Sequence, residues 1–199
     1  MQFVTQTFPD FPSLTLPDTL HLRYPHSSTL PKDKQHFLLF IPWDDAYIQH
    51  VPPKFRSFFT HVVEYLHVRS TDVHTALCCQ KIEPLCSAIE AANPGSNIDR
   101  TVVTLSLILH DCGWSQLSEA EVAASLGVSG LALTPKAMDP KEKHAVKGVE
   151  LAKILLKEFG TEFDLTETQT ELILKSIRYH DQPEKVVLQG SAIPLEVQA

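Results

Sequence analysis

The feature that most limits how this chain can fold is the run Val102-Val103-Thr104-Leu105-Ser106-Leu107-Ile108-Leu109, apolar nearly all round when wound as a helix. In a water-soluble fold such a helix belongs at the centre of a bundle. It opens at Asn97 or Asp99 and runs out into His110-Asp111 and then Cys112-Gly113-Trp114. A carboxylate at the inner end of the most buried helix costs several kcal/mol unless a charge compensates it. A divalent metal supplies that charge.

The elements around it also read as helices. Phe55, Phe58, Phe59, Val62, Val63 and Leu66 recur at helical spacing and predict a helix over roughly 53–69. A second helix starts with Thr71 or Asp72 as N-cap, carries His74 in its first turn, bends near Pro84 and stops at Asn93-Pro94-Gly95. Asp139-Pro140-Lys141-Glu142 combines an N-cap Asp, a first-position Pro and a Glu three residues after the cap. The helix it opens runs to Phe159, with His144 on its inner stripe and Gly148 placed to let another backbone come close. The capping pattern Thr166-Glu167-Thr168-Gln169 starts a last complete helix over 167–181, with His180 one turn beyond Ile177 on its buried face. No alternating segment is long enough to read as a sheet, so the expected class is all-α.

Residues 1–52 form a separate expectation. Eight of the 14 prolines fall within residues 1–53, a density that breaks helices and central strands alike. This is read as an extended arm packed on the domain, anchored by the apolar segment 37–43, with Asp44-Asp45 as turn or ligand. Residues 53–199 are the helical domain. Its 114–139 connection holds a short helix capped by Ser118-Glu119-Ala120-Glu121, then Gly127, Gly130 and Pro135, and reads as a lid. Residues 193–199 read as a helix start that stops after one turn, so the domain is expected to lack its last helix; a homo-oligomer could cover the open end.

Composition narrows the partners. A formal charge of -7 with no Lys/Arg run disfavours nucleic-acid polymers and anionic membranes. No run approaches the ~20 apolar residues a bilayer span needs, and the N-terminus lacks a secretory pattern. Cys78, Cys79, Cys86 and Cys112 include no C-x-x-C pair and suit a reducing compartment, so the cytoplasm is the expected location. A small molecule is the expected substrate.

The chemistry lies in the histidines. His74, His110, His144 and His180 sit about one helical hairpin apart, the spacing by which separate helices deliver imidazoles to one point. The His-Asp dipeptide alone is weak, since composition predicts roughly 0.5 occurrences and the chain has two. A satisfied core or helix-end role would also explain any one of these histidines. Four histidines and Asp111 at corresponding inward positions of four helices make a metal site the better reading.

The segments Asp72-Val73-His74, Leu107-Ile108-Leu109-His110-Asp111-Cys112-Gly113, His144-Ala145-Val146-Lys147-Gly148 and Ile177-Arg178-Tyr179-His180-Asp181 resemble the HD-domain superfamily of metal-dependent phosphohydrolases. The resemblance covers about 70–185. It implies an HD-domain-like bundle in which His74, His110 and Asp111 bind a first ion, His144 and His180 a second, and Asp111 bridges them. Imidazole and carboxylate suit one or two ions of iron, manganese, zinc, cobalt or nickel. In the family a late aspartate follows a helix start of the kind Pro194-Leu195-Glu196-Val197-Gln198, and this sequence ends before it; the missing ligand is expected to weaken the first ion, although three protein ligands plus water can still form a catalytic site. Asp181 as its stand-in is the lesser reading, a solvated helix-end role the simpler one.

The resemblance implies hydrolysis of a small phosphate ester, nucleotide-like or otherwise, by water activated on the metal. Asp111 would orient the water, and Lys147 and Arg178 are the nearest candidate phosphate clamps. The same ligand set admits a di-iron oxygenase, a hydratase of small nitrile-like substrates, or a degenerate HD scaffold. Trp114 reads as packing, or as a platform for a substrate ring.

Overall fold

The structure, a computed structural model, describes residues 3–8, 11–17, 44–125 and 138–182. The apolar segment 37–43, the part of the connection that holds Gly127, Gly130 and Pro135, and the terminal segment 193–199 lie outside the described residues. From residue 44 onward every regular element described is helical.

Among the described residues seven α-helices follow one another: α1 (Arg56–Val62), α2 (Thr71–Cys78), α3 (Ile82–Ala92), α4 (Arg100–Leu109), α5 (Glu119–Ser125), α6 (Pro140–Phe159) and α7 (Glu167–Tyr179), joined in places by 3-10 turns. The apolar helix is central as its composition requires, since α4 packs against α1, α2, α3 and α7. Leu105, Ile108 and Leu109 of α4 are fully buried with Phe58, Phe59, Leu155, Ile173 and Ile177. The packed helical body also reaches back before residue 53: a 3-10 turn, Asp45–His50, precedes the fully buried Val51. Asp44 takes the turn role at its start, accepting a hydrogen bond from the Ala46 N–H at 2.8 Å.

Helix starts follow their capping residues. The Asp99 carboxylate accepts from the Thr101 and Val102 N–H groups, and Asp139 accepts from Lys141 with Pro140 in first position. Thr166 and Gln169 complete a reciprocal capping box. Each satisfies donors that the first helical turn leaves orphaned. Gln169 also donates to Asp99 at 2.7 Å, joining the starts of α7 and α4.

Two expected helices are interrupted. The 53–69 helix ends at Val62 and continues as 3-10 turns, and Arg69 and Ser70 then adopt positive φ of 59° and 57°. The Leu66 carbonyl holds this break, accepting from the Thr71 hydroxyl at 2.8 Å and the Asp72 N–H at 2.7 Å. Because Ser70 is left-handed, α2 starts at Thr71 without a side-chain cap. The bend expected near Pro84 falls at the 3-10 turn Cys79–Lys81. Proline collides with the carbonyl four residues earlier, here Gln80, so the irregularity lies on its N-terminal side.

The arm holds a correction. Where only extended chain was expected, β1 (Phe3–Phe8) pairs antiparallel with β2 (Phe11–Pro17), Phe3 opposite Pro17 and Phe8 opposite Phe11. Pro12 and Pro17 argued against a strand, yet a two-stranded ribbon consists only of edges, where proline is tolerated.

Candidate metal centre

Four helices deliver five side chains to one place. His74 comes from the first turn of α2, and His110 and Asp111 from the end of α4. His144 comes from one turn inside α6, and His180 from the residue that ends α7. Two groups result, each with ligand atoms within 4.8 Å of one another: His74, His110 and Asp111, and Asp111, His144 and His180. Asp111 belongs to both. All five ligands expected from the sequence are therefore together, in two sets that could each hold a metal ion.

The carboxylate divides its oxygens between the sets. His110 Nε2 lies 3.1 Å from Oδ2, whereas His180 Nε2 and His144 Nε2 lie 3.5 and 3.7 Å from Oδ1. His110 donates through Nδ1 to the Leu107 carbonyl at 2.6 Å, and His180 does the same to Ile177 at 2.8 Å. An Nδ1 committed to a backbone carbonyl fixes the ring and directs Nε2 at the centre, the usual arrangement behind a ligating histidine. Nε2 of His144 and Nε2 of His180 approach to 3.1 Å. Without a cation one of these rings must turn an N–H toward the other's lone pair; a cation among them accepts both lone pairs.

The electrostatics agree with that donor set. Burial, then the neighbouring His180, pushes the His144 pKa down to about 4, so its lone pairs are free at neutral pH. Burial, then His110, also lowers His74. Burial alone would raise the Asp111 carboxyl, but His110 and His180 outweigh it and hold it well below the usual carboxylate range. Burial likewise opposes charge on His110, yet Asp111 and the Leu107 carbonyl raise its pKa.

The two sets differ in access. The His144 side chain is 0% exposed, while His74 is exposed. Asp181 stands at the rim, 41% exposed, with Oδ2 3.9 Å from His144 Nε2.

The walls come from a glycine contact and an indole. A Cβ on Gly113 would collide with the His144 carbonyl and the Gly148 backbone nitrogen. The turn Cys112–Gln116 thus lies directly on α6, and Gly148 meets another backbone as its position predicts. Trp114, 2% exposed, stacks on His144 with ring centroids 4.1 Å apart and an interplanar angle of 10°. Its Nε1–H donates to Asp111 Oδ1 at 3.1 Å. The Arg69 guanidinium lies over the Trp114 ring, 4.7 Å from its centroid. With His144 and Arg69 against it the indole is packed, and it is no platform for a substrate ring.

Other residues stand apart from the expected roles. Lys147 pairs with Glu150 at 2.7 Å and Arg178 with Glu142 at 3.0 Å. Lys143, beside His144 in sequence, pairs with Glu121 and ties α5 to α6. Sequence reasoning missed Arg69 and Cys78, whose Sγ lies 3.7 Å from His74 Nδ1. The helical spacing 74 to 78 would have found the cysteine; the break that aims Arg69 carries no Gly or Pro to mark it.

Among the described residues no helix is long and apolar enough to cross a membrane. No family model, curated protein or solved structure matches the chain.

Proposed function

We propose that this chain is a metal-dependent hydrolase of a small phosphate ester, in which the bound ion supplies a water of near-neutral pKa and neutralises charge building on phosphate oxygens. The observation that carries this reading is the shared carboxylate: Asp111 directs Oδ2 to His110 and Oδ1 to His144 and His180. Two ligand sets joined by one carboxylate suit displacement at phosphorus, which needs positive charge near both the attacking and the leaving oxygen. The order His74, His110-Asp111, His144, His180 supports the same reading through its resemblance to HD-domain phosphohydrolases. His74, exposed, marks the side from which substrate enters, and His144, sealed under Trp114, marks the floor. Asp181, carboxylate at the rim, is the residue placed to orient a water or a leaving group.

A second reading, hydration of a small neutral nitrile-like substrate, is favoured by one observation. The candidate phosphate clamps Lys147 and Arg178 are both engaged by carboxylates. The exposed Lys147–Glu150 pair is worth about 0–1 kcal/mol, so a phosphate can recruit that lysine, and phosphate hydrolysis stays first.

The test is metal content by elemental analysis of protein purified without added metal, beside a His110→Ala/Asp111→Ala variant. One or two equivalents, lost in the variant, are expected. Turnover of p-nitrophenyl phosphate or a nucleoside monophosphate by the loaded protein supports the first reading, and turnover of cyanamide alone supports the second. Two irons with oxygen consumption would replace both by oxygenase chemistry. No metal in either protein would overturn the catalytic reading and leave a degenerate scaffold.

A further inference from the structure

We propose that Trp114 is the positioning residue of this centre, committing Asp111 to bridge two ions rather than chelate one. The inference rests on the metal-binding reading above and assigns a role to a residue outside the ligand set.

The argument starts from the carboxylate's inventory. An ionised aspartate offers about four lone-pair sites, two per oxygen. The Trp114 N–H takes one of the two on Oδ1 at 3.1 Å. What remains on Oδ1 faces His144 and His180, and Oδ2 faces His110. Each histidine group is left with one carboxylate oxygen. To present both oxygens to one histidine group, Asp111 would have to rotate from this position, carrying Oδ1 off the indole and leaving a buried N–H without a partner, at about 1–3 kcal/mol.

The indole is itself held. One face lies on His144 at 4.1 Å, and Arg69 sits over the ring at 4.7 Å. Arg69 reaches that position from two successive residues at positive φ, a backbone that costs side-chain-bearing residues about 1–2 kcal/mol each. Strain of this kind persists where the surrounding structure over-determines it. The stack fixes the plane of His144 and the hydrogen bond fixes the rotation of Asp111, so one side chain sets two ligands of the inner group. Trp114 is 2% exposed, so water does not replace the hydrogen bond when it is lost.

The test is calorimetric titration of the metal-stripped full chain with Zn(II), for wild type, Trp114→Phe and Trp114→Ala. Phe keeps a ring on His144 while losing the N–H and part of the indole's volume. Wild type is expected to bind two ions in resolvable steps. Trp114→Phe is expected to weaken one step about 10–100-fold, the range for losing a partner behind the ligands, and to leave the other within about threefold; Trp114→Ala is expected to weaken the same step further. A general loss of packing would weaken both steps together.

The chain has two tryptophans, so a Trp43→Phe protein leaves one indole N–H signal in a 15N correlation spectrum. That signal is expected to shift as Zn(II) fills the centre, and it keeps the proposal testable if the Trp114 variants do not fold. Two unchanged steps in Trp114→Phe, a single ion in wild type, or an indole signal indifferent to Zn(II) would each overturn the positioning role while the metal reading stands. No Zn(II) bound by wild type would overturn both.

Discussion

Gly113→Ala is the substitution whose effect follows most directly from the packing. The added Cβ would lie 2.8 Å from the Gly148 Cα and closer still to the His144 carbonyl and the Gly148 nitrogen. Carbon atoms in favourable contact sit about 3.5–4.0 Å apart, so the turn and α6 must separate by roughly 1 Å. All three obstructing atoms are backbone, and no rotamer change relieves them. The cost belongs at the upper end of the about 1–3 kcal/mol seen for overpacked cores. A loss of ~3 kcal/mol lowers the folded-to-unfolded ratio by about two orders of magnitude and Tm by about 6–12 °C.

Gly148→Ala is the internal control. Its Cβ would meet the Ile177 Cγ2 at 3.2 Å, a branch methyl that has to shift by only a few tenths of an ångström, and the Gly113 nitrogen at 3.6 Å. Alanine gains about 1 kcal/mol over glycine in a helix interior, so the net effect is expected within ~1 kcal/mol of zero. Urea denaturation of both variants with chelator present measures the difference without the contribution of bound metal. Gly113→Ala within ~0.5 kcal/mol of wild type, or Gly148→Ala losing as much as Gly113→Ala, would refute the reasoning.

Two other outcomes are expected. Burial pushes the thiols of Cys79 and Cys112 up to about 12 and also raises Cys86 and Cys78, but Cys78 alone is half-buried where the other three are buried, so a disulfide reagent should titrate one thiol ahead of the rest in native protein. Three or four fast thiols would contradict that packing. The Arg100 guanidinium, with the Ile98 N–H, pulls the Glu90 carboxyl down to about 2 from its ordinary 4.5. Its contribution to stability is present above pH 4.5 and disappears as pH falls toward 2. Acid denaturation of Glu90→Gln should be flatter through that window, and an unchanged profile would show that the pair is not formed in solution.

What could be read in the sequence, and what could not, divides along physical lines. Local signals were legible: the caps at Asp99, Asp139 and Thr166 depend on residues within three positions, and the apolar run 102–109 has no stable place but the centre. The gathering of His110, Asp111, His144 and His180 was legible because inward-facing positions on packed helices converge; His74, read as inward too, joins them from an exposed position at the start of α2. Contacts between distant segments were not. Gly148 advertised a close approach, but that its partner is Gly113 depends on how the turn after α4 lies on α6. The reversal at Arg69 and Ser70 contains neither glycine nor proline and is held by the Leu66 carbonyl, so nothing local announced that it would bring Arg69 over Trp114. Lys147 and Arg178 were chosen for their nearness to histidines in sequence, and Glu150 and Glu142 claim them in the fold. The pairing of Phe3–Phe8 with Phe11–Pro17 was obscured by Pro12 and Pro17.

The unequal exposure of the two histidine groups bears on how a sample of this protein should be handled. An ion held near His74 meets solvent directly and exchanges with whatever the buffer contains. One held by Asp111, His144 and His180 rests on one histidine with no accessible surface and another that is 17% exposed, so it would exchange more slowly. Chelation should then proceed in two phases. The slower position would hold the ion acquired as the chain folded for longer, so expression conditions as well as the assay buffer would decide which metal a sample carries.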